Sequence, residues 1–86
     1  MNIEERGMLV WLKDGSSRRN ILNILQKDRL LSSEIANRLN KHRSSISRTL
    51  KNLKQKGLIE FIEAGSRTRE YSTTEKGKKY LKLLEN

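Results

Sequence analysis

Ser33-Glu34-Ile35-Ala36-Asn37-Arg38-Leu39-Asn40-Lys41-His42-Arg43-Ser44-Ser45-Ile46-Ser47-Arg48-Thr49-Leu50 is the stretch on which the fold turns. Ile35, Ala36 and Leu39 share one helical face, so this stretch opens with a short amphipathic helix. Ser32 or Ser33 is the expected cap, without a full capping box because Glu34 is not three residues beyond either serine. Asn40 stands where a helix commonly ends on a left-handed residue. Only Asn40-Lys41-His42 separates this helix from the next, expected from Arg43 to about Lys56. There Ile46, Leu50 and Leu53 recur at i, i+4 and i+7 as a narrow buried stripe. At 100° per residue the opposite side holds Ser44, Arg48, Lys51 and Gln55, flanked by Ser45 and Asn52.

Working outward, Gly57 stops that helix. Leu58 to Glu63 and Arg69 to Thr73 then read as two strands, with Ile59 and Phe61 alternating with charged residues. Ala64-Gly65-Ser66-Arg67-Thr68 is the hairpin loop between them, and Thr74 is placed to cap a last helix over Glu75–Glu85. Upstream, Ile3 to Lys13 and Arg18 to Lys27 have helical spacing, separated by Asp14-Gly15-Ser16-Ser17, and Leu30-Leu31 is a short extended link. Tyr71, Phe61 and Tyr80 read as core residues. Trp11 is harder to place, because an exposed indole is costly.

The chain has 86 residues and a formal net charge of +9, with one His and no Cys. That length supports a single domain. Lack of Cys excludes a disulfide framework, a thiolate zinc site and a cysteine nucleophile, and one His makes a histidine metal centre or a catalytic triad improbable. No nucleophile–base pair or glycine-rich phosphate loop stands out, so neither an enzyme nor a bound cofactor is expected. No apolar run approaches a membrane span or a signal-peptide core, and the expectation is a cytoplasmic, nucleoid-associated protein with no membrane partner. The charge is unevenly placed. Residues 18–57 hold eleven bases against two acids, and between Glu34 and Glu60 there is no acid at all. That favours an anion-facing surface over an accidental bias of a solvated face.

A short turn between two helices, the second exposing small polar and basic side chains, suits insertion into a DNA major groove. Here the sequence resembles the winged helix-turn-helix regulators, specifically the small MarR-like and archaeal ones. The segments that carry the likeness are Ser33–Leu39, Ser44–Leu50, Leu53–Ile59 and Tyr71–Gly77, similar to the family's "S-E-I-A-x-x-L", "S-x-[IV]-S-R-x-L", "L-x-x-x-G-L-I" and "Y-x-L-T-x-K-G". Three departures stand out: His42 where a Ser or Thr cap is common, Lys41 where an apolar residue is common, and Thr73 where Leu is usual. The last trims the core.

The resemblance implies a mainly α fold with a small β-hairpin wing: a winged-helix core over residues 17–74, with extra helices over 1–15 and 75–86. It implies a recognition helix over 43–56, with Arg43, Ser44, Ser45, Ser47, Arg48, Lys51 and Asn52 toward double-stranded DNA. Lys41, His42 and Lys54 are expected beside the backbone. Arg67 and Arg69 on the wing, residues 63–69, either reach minor groove or phosphate or simply solubilise the hairpin tip. Arg18 and Arg19 at the start of the second helix could add phosphate contacts, since an N-terminal helical position is poor for cations by helix dipole alone and hints at a use other than stabilising that helix. A core this lean also invites a homodimer, with Ile3, Leu9, Val10, Trp11, Leu12, Tyr80, Leu81 and Leu84 as its interface, or else packed back on their own core. The expected function is sequence-specific regulation of transcription, as a dimeric repressor, with any small-molecule effector unknown. A chromatin-type binder without sequence preference and a protein-interaction winged helix are the competing readings.

Overall fold

The computed structural model describes residues 2–65 and 68–85. Arg67, one of the two wing arginines, lies outside them. In chain order the elements are α1 (Ile3–Lys13), α2 (Ser16–Leu25), β1 (Leu30–Leu31), α3 (Ser32–Leu39), α4 (Arg43–Gln55), β2 (Ile59–Glu63), β3 (Arg69–Thr73) and α5 (Glu75–Glu85). The mainly helical winged-helix architecture expected from the sequence is present. The strands form one antiparallel sheet in the order β1-β3-β2, so the short Leu30-Leu31 link is a third strand.

Local chemistry sets most of the boundaries. The Asn2 side chain accepts the Glu5 N–H at 2.8 Å and opens α1. Asn40 adopts φ 53°, ψ 49°, and Lys41 N–H donates to Ala36 O while Asn40 N–H donates to Asn37 O. These two bonds are a Schellman closure, which satisfies carbonyls that α3 would otherwise leave open. Gly57, at φ 75°, does the same for α4: Leu58 N–H donates to Leu53 O and Gly57 N–H to Lys54 O. That use of its N–H keeps Leu58 out of the strand, which begins at Ile59. Thr74 caps α5 as expected, its Oγ1 accepting Gly77 N–H at 3.1 Å while donating to Gly57 O at 2.7 Å.

The start of α3 differs from expectation. Leu31, not a serine, is the N-cap residue, and Glu34 Oε1 accepts its N–H at 2.8 Å. Leu31 has no acceptor to return the bond, so only the glutamate half of a capping box exists. The cap falls there because pairing of Leu30 with Tyr71 and of Leu31 with Glu70 fixes the backbone as strand until Ser32.

Leu12, Ile21, Leu22, Ile35, Ile46, Leu53, Leu58 and Ile59 are fully buried and draw on α1 to α4 and β2. Leu9, Tyr80 and Leu81 join the same core. This corrects half of the expected dimer-facing set: Leu9, Leu12, Tyr80 and Leu81 are taken up by the chain's own core, because α1 and α5 pack against α2 and each other. Ile3 and Val10 remain exposed, and Trp11 and Leu84 are half-buried. Thr73 is buried as well, and its hydroxyl donates to Leu22 O at 2.9 Å. What looked like a trimmed core position is a polar tie between β3 and α2.

Candidate nucleic-acid interface

Burial of Ile46, Leu50 and Leu53 turns the rest of α4 outward. Arg43, Ser44, Ser45, Ser47, Arg48 and Lys51 are all exposed, and Asn52 is half-buried. Among the described residues Arg43, Arg48 and Lys51 have no hydrogen-bond or ion-pair partner, so the helix presents three uncommitted cations with hydroxyls between them. His42 is the N-cap of α4 but makes no side-chain cap bond. The backbone N–H groups of residues 42–45 therefore have no acceptor among the described residues, and they sit at the positive end of the helix. Lys41 and His42 are exposed beside them.

The wing forms the second wall. Pairing of Ile59 with Thr73, Phe61 with Tyr71 and Glu63 with Arg69 puts these six residues on the sheet face toward α4. Between this face and α4 lies a groove of about 550 Å³. Ser47, Lys51, Lys54 and Gln55 line it from the helix, and Phe61, Arg69 and Tyr71 from the sheet. Phe61 is thus a half-buried groove residue rather than core, Tyr71 packs against the core while also lining the groove, and Tyr80 is buried in the interior. The Arg69 guanidinium stands 4.4 Å from the Phe61 ring centre and the Lys54 ammonium 5.6 Å from it. Sequence reasoning missed Phe61 here; the alternation of β2 places it, but only the register with β3 brings Arg69 onto the same ring.

Arg18 and Arg19 have a different use from the expected phosphate contact. Arg19 donates to Leu12 O at 2.7 Å and to Lys13 O at 2.6 Å, and Arg18 donates to Trp11 O. They cap carbonyls of the last turn, at the negative end of α1, and at Leu12 O add a second bond to the one from Gly15 N–H. Arg18 also lies 4.1 Å from the Trp11 ring centre, with Lys56 at 5.0 Å on the same ring. The indole is therefore half-covered by cations, which is how the chain accommodates it. Arg38 pairs with Asp28 at 3.7 Å on the surface. Among the described residues no three of His, Cys, Asp and Glu stand together as metal ligands, and no helix is long and apolar enough to cross a membrane.

Residues 15–60, more than half of the chain, match the family of bacterial regulatory proteins described as the arsR family. No curated protein sequence matches the chain. Among solved structures, ZitR of Lactococcus lactis, a zinc-responsive MarR family member, superposes with a TM-score of 0.72 at 29% identity, over 78% of this chain and 48% of that one. A single-site mutant of ZitR in complex with DNA superposes with a TM-score of 0.71 at 28% identity, over 78% and 47%. Reduced HlyU of Vibrio cholerae, at 24% identity, shares the fold with a TM-score of 0.79 over 94% of this chain and 85% of its own. The chain spans about half the length of the ZitR proteins.

Proposed function

Because the chain belongs to the arsR family of bacterial regulatory proteins, we propose that it binds double-stranded DNA as a regulator of transcription, acting as a homodimeric repressor. The observation that carries this reading is the acid-free outer side of α4, where Arg43, Arg48 and Lys51 stand exposed and, among the described residues, unpaired beside Ser44, Ser45 and Ser47. An α-helix of this width fits the major groove, where arginine pairs with guanine and serine with any base edge. The open N–H groups at residues 42–45 suit a phosphate oxygen, so the helix would be anchored at its end and read along its side. Lys54 and Arg69 in the groove toward the wing extend the same positive surface to the adjacent backbone. The ZitR–DNA complex supports DNA as the partner of this fold.

Selection of bound sites from random duplex DNA, with the mass of the complex measured alongside, tests the reading. The expected result is a pseudo-palindrome with half-sites about one helical turn apart and two protomers per site. Arg48→Ala and Lys51→Ala each weaken binding, and a residue that touches only phosphate also flattens the salt dependence by about one unit. Equal affinity for every sequence would favour the chromatin-type binder. Unchanged binding in both variants would favour a protein-interaction role.

A further inference from the structure

Arg69 has an obvious partner that it does not use. Glu63 is its directly opposed neighbour on the same sheet face, where cross-strand side chains are close enough to pair. No ion pair forms between them among the described residues; the guanidinium lies over Phe61, two positions away on the neighbouring strand. Lys54, from α4, approaches the same ring. Both cations are inside the roughly 6 Å range of a cation–π contact. Tyr71 braces the ring from the side, 5.7 Å away and tilted by 59°. One aromatic ring thus collects two like charges from two different elements, at the lip of a groove that Lys51 also lines.

A ring that attracts cations offsets their mutual repulsion, and a guanidinium stacked by its face keeps its edge N–H donors free. Holding long, flexible side chains in place before a ligand arrives removes part of the ordering cost of binding. We propose that Phe61 is a positioning residue for DNA binding: it holds Arg69 and Lys54 as a two-cation site for a backbone phosphate of duplex DNA, straddling the recognition helix and the wing. This rests on the DNA-binding reading above. The same device fixes the wing relative to α4, since the ring belongs to the sheet and one of its cations to the helix.

The test uses the full chain and a short duplex of random sequence, with affinity measured across a salt series. Arg69→Ala lowers affinity and flattens the log–log salt slope by about 0.9 per site, because a phosphate contact is gone. Phe61→Leu keeps both charges, so it leaves the slope in place while lowering affinity about two- to fivefold, the size of an exposed cation–π contact. Phe61→Tyr retains the ring and binds like the wild type. In a Lys54→Ala/Arg69→Ala background, Phe61→Leu costs nothing further. Arg69→Lys repeats the test without touching the ring, since it keeps the charge and gives up the guanidinium's paired N–H donors over the ring: affinity falls with the slope unchanged. The proposal is overturned if Arg69→Lys binds like the wild type, if Phe61→Tyr is as weak as Phe61→Leu, or if Phe61→Leu loses the same factor without the two cations. A wild-type chain that does not bind the duplex overturns the DNA reading and this site with it; a wild type that binds with indifferent variants overturns this site alone.

Discussion

Arg19 carries a charge that a sequence reader assigns to DNA and that the fold assigns to itself. Its guanidinium closes the last turn of α1 at Leu12 O and Lys13 O. A hydrogen bond from a charged donor is worth about 1.5–3 kcal/mol when well buried, and Arg19 is only half-buried. Arg19→Ala should therefore cost about 1–2 kcal/mol of stability, read by thermal denaturation, while the salt slope of DNA binding stays put. A slope lowered by about one unit would return Arg19 to the phosphate-contact set. Gly77 makes the opposite point, that the smallest side chain can be the tightest fit. A Cβ there would lie 2.4 Å from Leu58 O and 2.6 Å from Thr73 Cγ2, neither of which is the free end of a flexible side chain. Replacing a helical glycine by alanine ordinarily gains about 1 kcal/mol, but overpacking of this kind costs about 1–3 kcal/mol. Gly77→Ala is expected to lower the melting temperature; a rise would mean that the β3–α5 junction is looser than its contacts imply.

The α3–α4 turn decides how the exposed face of α4 is aimed. Three residues make it, and Asn40 alone adopts the left-handed conformation, at φ 53°. Asn40→Gly should be neutral within about 0.5 kcal/mol, whereas Asn40→Val should cost about 1–2 kcal/mol, the penalty for a Cβ-branched residue in that region. Urea unfolding of the two variants separates them, and equal midpoints would discount the turn as a fixed element. This turn was legible in the sequence, as were α4, its buried stripe and the Thr74 cap. Each is signalled by residues a few positions apart along the chain. Less legible was whatever depends on distant partners. The cap of α3 is Leu31 because β1 pairs with β3 about forty positions later. The α1 carbonyls are closed by arginines of the next helix, the Thr73 hydroxyl reaches back to Leu22 O, and Phe61 meets Arg69 only through the hairpin register. Side-chain type announces such residues as basic, small or aromatic; register decides what they touch.

At the scale of the whole molecule, the excess charge belongs to one part of the chain and the exposed apolar side chains of α1 to another. Residues 18–57 carry the whole excess of +9, while residues 1–17 are near neutral. On α1, Ile3 is 89% exposed and Val10 57%, and they lie seven residues apart on the same helical face, with Gly7 between them in open space. Core formation claimed Leu9 and Leu12 from the other side of this helix and left that strip uncovered. Two protomers joined along it would cover these exposed apolar side chains. Joined through α4, they would bring like charges together. The proposed homodimer therefore has an expected address on α1. Val10→Glu should leave the melting transition of the protomer nearly unchanged, because Val10 is outside the core, yet shift sedimentation equilibrium from dimer to monomer. It should also weaken DNA binding, since each protomer would then hold one half-site without the other. If Val10→Glu sediments as the wild type does, the interface lies elsewhere; if it turns monomeric and still binds DNA with full affinity, each protomer reads its site alone.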